Sequence, residues 1–174
     1  MNIVTLLRNI LDLDRIPPFR VASLRKRGLK LGANVFIDSN VVIDGVFPYL
    51  ITIADECTIA PGTVILAHDA STKRHLNYSK VGKVYIGKRT FIGANSTILP
   101  NVRIGSNVIV GAGSVVANSL PSGVVAAGSP AKIIGTTEEY LKKHEKMLQS
   151  RLVDKADRGK VIAATDQIGL IYTL

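Results

Sequence analysis

The chain has 174 residues, one cysteine, no tryptophan and a formal net charge of +9 at neutral pH. Its length suits one domain, its 47% hydrophobic content with only 5% aromatics suits a core of stacked aliphatics, and the lone Cys57 excludes a disulfide framework. The basic charge admits an anionic partner. Along the chain, however, no basic stripe is interleaved with aromatics, no apolar run is long enough to span a bilayer and no signal-peptide pattern is present. The expectation is a cytoplasmic protein with no nucleic-acid partner and at most peripheral membrane contact.

Residues 2–13 place Ile3, Leu6, Leu7, Ile10 and Leu11 on one face of a predicted helix, which Pro17 and Pro18 end. A second helical piece, 21–27, stops at Gly28. Residues 1–30 thus read as a helical cap over the open edge of a domain beginning at Leu31. The alternative is a foothold on a membrane surface through Arg20, Arg25, Lys26, Arg27 and Lys30.

From Leu31 the spacing changes. Aliphatic residues recur every sixth position as Leu31, Ile37 and Ile43, then Ile53, Ile59 and Ile65, then Ile86, Ile92, Ile98, Ile104, Val110 and Val116. Six matches neither the helical period nor the alternation of a strand. Three positions past the aliphatic stand Asn34, Asn40, Gly62, Asn95, Asn101, Asn107 and Gly113, types that enter the left-handed backbone region readily. A small or β-branched residue such as Thr90, Ser96, Val102, Val108 or Ser114 follows, suited to an inward position. Three strands and three corners close one turn, so the twelve hexads predict an all-β domain over 31–135, a parallel β-helix of about four triangular turns. Cys57 takes an inward position, as a buried thiol.

Two interruptions stand out. Four extra residues around 46–50 delay the repeat until Ile53. After Ile65, His68 takes the corner place and Asp69 the inward one, and a polar loop, 69–83, leaves the solenoid. A long polar loop ejected from a strict repeat is a natural place for function. Past Val116 comes an irregular segment with Pro130 and Lys132. A capping box of Thr136 and Glu139 then opens a helix carrying Leu141, Leu148 and Leu152. Residues 136–174 are read as this C-terminal helix and a tail.

Three histidines exist, His68, His75 and His144. His68 sits at the root of the loop, where an imidazole suits a general base that takes a hydroxyl proton near neutral pH; a structural corner residue is the alternative. Gly93-Ala94 and Gly111-Ala112 stack on one corner of adjacent turns. They either form a groove without side chains, in which backbone N–H groups meet an extended ligand, or simply satisfy tight corners.

The run over 31–135, with ILAHD before the loop, IGANSTILPNVRIGSNVIVGAGSVV after it and VVAAGSPAKII at the close, resembles the hexapeptide-repeat acetyltransferases. It is most similar to the bacterial sugar and polysaccharide O-acetyltransferases and the maltose and galactoside acetyltransferases. That resemblance implies a left-handed helix, a homotrimer with sites between neighbouring solenoids, acetyl-CoA as donor, no metal, and a sugar hydroxyl as acceptor. His68 matches the family's catalytic base. Gly93, Ala94, Gly111, Ala112, Asn118 and Lys132 fall where the family binds the cofactor, although Ala117-Asn118 replaces its usual Thr-Lys pair and Gly135 a second basic residue. Asn40 and His75 are candidates for the acceptor side, Asn40 with the alternative of an ordinary left-handed corner. Rival readings are an antibiotic or small-sugar O- or N-acetyltransferase, a zinc carbonic anhydrase on the same solenoid, for which the histidines are too few, and a non-catalytic scaffold.

Overall fold

The structure, a computed structural model, describes residues 18–151. The predicted helix at 2–13 and the tail at 152–174 lie outside the described residues. Two compact units separate after Thr137.

The first unit is the predicted β-helix. One face stacks Lys30–Leu31, Ile51–Ile53, Val84–Ile86 and Arg103–Ile104. We call it face A. Face B stacks Phe36–Ile37, Thr58–Ile59, Phe91–Ile92, Ile109–Val110 and Val124–Gly128, and face C stacks Val42–Ile43, Val64–Ile65, Thr97–Ile98 and Val115–Val116. All of these pairings are parallel. Each two-residue strand gives one residue outward and one inward, Ile51–Ile53 and Val84–Ile86 add a second inward residue, and the inward Ile53, Ile59, Ile65, Ile86, Ile92, Ile98 and Ile104 are all 0% exposed. The inward small residues close the corners from within: Thr90, Ser96, Val102, Val108 and Ser114 are buried. The hydroxyls of Ser96 and Ser114 donate to Gly111 O and that of Thr90 to Gly105 O, so these buried hydroxyls are all satisfied.

The corners turn through positive φ at Asn34, Asn40, Gly62, Asn95, Asn101, Asn107 and Gly113, as the period requires. Glu56 and Arg89 do the same although their types do not favour it. They stand three places past Ile53 and Ile86, so register overrides propensity. Backbone bonds between coils hold them, Glu56 N donating to Ala33 O and Arg89 N to Asp55 O.

The N-terminal helix spans Pro18–Lys26, starting ahead of the predicted 21–27, because Pro is tolerated in a first turn. It ends at Gly28, φ +98°, where a Cβ would also lie 2.6 Å from Tyr49 Cβ. Leu24 and Leu29 are buried against the first coil. The extra residues after Ile43 form a single 3-10 turn, Pro48–Leu50. At the other end Val124–Gly128 pairs antiparallel with Ala131–Thr136, so what reads in sequence as an irregular segment is a hairpin closing face B.

A helix, Thr137–Arg151, begins immediately after Thr136, and all of it past Thr137 belongs to the second unit. Along it Glu138 pairs with Lys142, and Tyr140 packs on His144 with ring centroids 4.2 Å apart.

Candidate active site

His68 does not form a left-handed corner. Residues His68–Asp69 make a short strand antiparallel to Lys80–Val81, and a one-turn helix, Lys73–Leu76, lies at the far end. The predicted loop is therefore a hairpin arm. With Asp69 in the inward place of the hexad the chain cannot close a corner, and Asp69 instead meets Lys80 Nζ at 2.6 Å across the arm. The Lys80 ammonium, helped by the Ser71 N–H, holds the Asp69 carboxyl down at about 2. The arm leaves from the corner between faces C and A, where Gly82 N donates to Ala67 O.

At the root of the arm lies a residue that sequence reasoning does not single out. Asp44, only 3% exposed, presents Oδ2 to His68 Nδ1 at 2.5 Å. The Ala67 N–H donates to the same oxygen, and the N–H groups of Val46 and Phe47 donate to Oδ1. Burial alone would push this carboxyl up, but the His68 bond and the three backbone donors together outweigh it, and Asp44 sits below the ordinary 3.8. An ionised Asp44 can only accept, so in the neutral imidazole Nδ1 carries the proton and Nε2 keeps its lone pair. Phe47 packs edge-on against the ring, centroids 5.4 Å apart, and restricts its rotation. The arrangement is a part-exposed imidazole, oriented by a buried carboxylate, with a basic nitrogen left over. A signal for Asp44 is present in the repeat: Ile43 pairs with Ile65, which puts the residue after Ile43 under the root of the arm.

The predicted donor residues divide between two corners. Gly93, Ala94, Gly111 and Ala112 share the corner between faces B and C, joined by Gly113 N donating to Ala94 O. Gly93 and Gly111 spend their own N–H groups on Val110 O and Ala126 O, whereas those of Ala94 and Ala112 make no backbone hydrogen bond among the described residues. Gly93 has a packing reason to be glycine, since a Cβ there would lie 2.5 Å from Ala112 N. Lys132, exposed, pairs with Ala127, which stacks beyond Gly111, and so stands at the end of this column. Asn118 does not join it; it follows Val116 at the corner between faces C and A, two coils beyond His68. Asn40, at φ 53°, lies at the corner between faces B and C, in line with Asn95 and Gly113 next to the Ala94–Ala112 column, rather than beside His68. His75 is exposed on the one-turn helix of the arm. Within one chain the full width of face C separates His68 from the Gly-Ala column.

Among the described residues no group of three or more His, Cys, Asp or Glu could hold a metal, and no helix is long and apolar enough to cross a membrane.

The six-repeat bacterial transferase hexapeptide model matches residues 83–118. Protein CapG of Staphylococcus aureus is 36% identical over 142 residues, 79% of this chain and 78% of CapG. The galactoside O-acetyltransferase of Escherichia coli (strain K12) is 35% identical over 111 residues, 61% of this chain and 53% of that protein. Among solved structures, a hexapeptide-repeat acetyltransferase of Vibrio cholerae O1 biovar eltor complexed with acetyl-CoA superposes with a TM-score of 0.58 at 30% identity, over 64% of this chain and 61% of that one. The chain spans about half of the galactoside enzyme and under two thirds of the Vibrio one. With the parallel coils, the six-residue period and these matches together, the chain belongs to the hexapeptide-repeat transferases, a family of left-handed β-helices that includes the Escherichia coli and Vibrio acetyltransferases.

Proposed function

We propose that this protein transfers acetyl from acetyl-CoA to a hydroxyl of a sugar, in the cytoplasmic synthesis of a surface polysaccharide or its precursor, with His68 as general base. The observation that carries the reading is the Asp44–His68 pair, which leaves Nε2 basic at the root of the arm. Nε2 takes the hydroxyl proton as the sugar oxygen attacks the thioester carbonyl. The imidazolium so formed is stabilised by Asp44. Collapse of the tetrahedral intermediate breaks the C–S bond, and the imidazolium returns the proton to the departing thiolate. The N–H of Ala94 is suited to the oxyanion.

The donor in this reading lies along Ala94 and Ala112, with Lys132 toward its phosphates. That column and His68 stand on different corners of one solenoid, so a complete site takes His68 from one chain and the column from a neighbour. A homotrimer closes such a ring of equivalent sites. Asn40 and His75 are the acceptor-side candidates, and Asn118, at the corner of His68, belongs to the base's side of the cleft rather than to the donor column.

The test is thiol release from acetyl-CoA against a panel of sugar acceptors, for wild type and His68→Ala, with thermal shift as the binding control. The expected result is acceptor-dependent release in the wild type, reduced about 100-fold or more in the variant, while acetyl-CoA still raises the melting temperature of both. Equal turnover by the variant would remove His68 from the chemistry.

A further inference from the structure

The three outer faces of the solenoid differ in kind. The outward residues of face B run Phe36, Thr58, Phe91, Ile109, and those of face C run Val42, Val64, Thr97, Val115, both mainly apolar. Those of face A run Lys30, Thr52, Tyr85, Arg103 in continuous register. These four are scattered over the sequence, so no basic or aromatic stripe is visible along the chain.

Two open grooves flank Tyr85 and Arg103. One, of about 350 Å³, is lined by Lys30, Tyr49, Lys83, Tyr85, Asn101 and Arg103 among others. The second, of about 310 Å³, adds Ser106, Ser119 and Ser122. No carboxylate lines either groove, and none pairs with Lys30, Lys83 or Arg103 among the described residues. The Arg103 guanidinium lies 4.1 Å above the centre of the Tyr85 ring, which fixes its planar fork in place. Tyr49 is 55% exposed. Asn101 also lines a third groove, of about 540 Å³, with Asp69, Lys80, Pro100 and Ala117. Face A is thereby continuous with the root of the arm, one residue from His68.

We infer that face A is a docking rail for an anionic glycan, a chain of carboxylate-bearing sugars that extends away from the His68 site. Four stacked coils give the rail a length of about 14 Å at the 4.8 Å strand spacing. Arg103 offers a two-pronged contact to a carboxylate, Lys30 and Lys83 supply two further cations, and Thr52, Asn101 and the three serines present hydroxyls and an amide for sugar hydroxyls. A single-stranded nucleic acid fits less well. Such sites combine many phosphate contacts with a series of open ring faces, and here the Tyr85 face is already covered by Arg103 and the cations number three. The inference rests on the acetyl-transfer reading only for the identity of the chain's end, not for the docking itself.

The test is calorimetric binding to the full-length protein of an oligogalacturonate, of uncharged maltoheptaose and of an oligothymidylate, with the wild type and with Arg103→Gln, Lys83→Gln together. Both positions are exposed, and retention of the wild-type melting temperature checks the fold. The expected result is salt-sensitive binding of oligogalacturonate, weakened at least tenfold in the double variant, with maltoheptaose weak in both. Absence of oligogalacturonate binding, or binding unchanged by the double substitution, overturns the proposal. Tighter binding of oligothymidylate, lost in the same variant, replaces the glycan with a nucleic acid and also overturns it. Thiol release from acetyl-CoA is followed separately: glycan binding without any turnover leaves the rail standing and sinks the transferase reading, and turnover without glycan binding does the reverse.

Discussion

Replacing Asp44 by asparagine changes one atom and reaches the proposed chemistry through the imidazole. The carboxylate accepts from four donors: Val46 and Phe47 at Oδ1, Ala67 and His68 at Oδ2. An amide has one oxygen to offer, and two orientations are possible. With the amide oxygen toward Val46 and Phe47, only the Ala67 N–H is stranded, and the NH₂ donates to His68 Nδ1. The reverse strands both Val46 and Phe47. Each stranded buried donor costs about 1–3 kcal/mol, so the first orientation wins, and Asp44→Asn destabilises by about 2 kcal/mol. For a chain of this size that lowers the melting temperature by about 4–8 °C.

The winning orientation also inverts the tautomer. Nδ1 becomes the acceptor, the proton moves to Nε2, and the lone pair needed for proton abstraction is lost. A positioned general base contributes about 10²–10⁴ in rate, so kcat falls by about 100-fold or more. Nitrogen-15 NMR of the histidine ring reads the tautomer directly, alongside steady-state thiol release and thermal melting. A variant that keeps its proton on Nδ1, or keeps more than a tenth of the wild-type rate, refutes this account of Asp44.

Three further outcomes come from the same geometry. Gly93→Ala forces a Cβ to within 2.5 Å of Ala112 N in the next coil and costs about 1–3 kcal/mol of stability by overpacking, measurable in urea; an unchanged midpoint would show that the coils separate freely. Cys57 is 0% exposed, burial pushes its thiol up, and Sγ donates to Gly87 O, so a disulfide reagent at pH 8 reacts only as the protein unfolds. Asp69 titrates at about 2 in the folded arm, below its ordinary 3.8. A depressed native value means the contribution is present above the ordinary value and lost as pH falls toward 2. Amide exchange at Gly82, whose N–H donates to Ala67 O at the root of the arm, should therefore speed up on acidification below about pH 4 in the wild type, and be fast and much less pH-dependent in Asp69→Asn after correction for intrinsic exchange.

The period of six and the Asn and Gly corners are legible because a solenoid writes its geometry locally: Ile92, Ile98 and Ile104 each sit 0% exposed where spacing alone puts them. Glu56 and Arg89 show the same rule at work against residue preference. What no local motif displays, and only the counting of coils can reach, is what depends on stacking between coils that are far apart in sequence. Asp44 and His68 are 24 residues apart, and only the register of Ile43 on Ile65 brings them together. The same holds for the row from Lys30 to Arg103, whose members are joined by pairing rather than by any local motif. His68 itself is identifiable as a residue but not in its place, because the repeat predicts a turn there and the antiparallel pairing of His68–Asp69 with Lys80–Val81 replaces it. The hairpin Val124–Gly128 with Ala131–Thr136 is hidden for a simpler reason: it abandons the six-residue spacing altogether.

The most direct test of direct acetyl transfer by His68 is a single turnover with a productive acceptor, following free thiol, acetylated sugar and intact protein mass together. The account predicts that acetyl appears on the sugar as thiol is released, that no acetylated protein accumulates at any time, and that His68→Ala stops both while still binding acetyl-CoA. An acetyl-protein that forms and decays at the rate of turnover, or transfer that persists without His68, would contradict it.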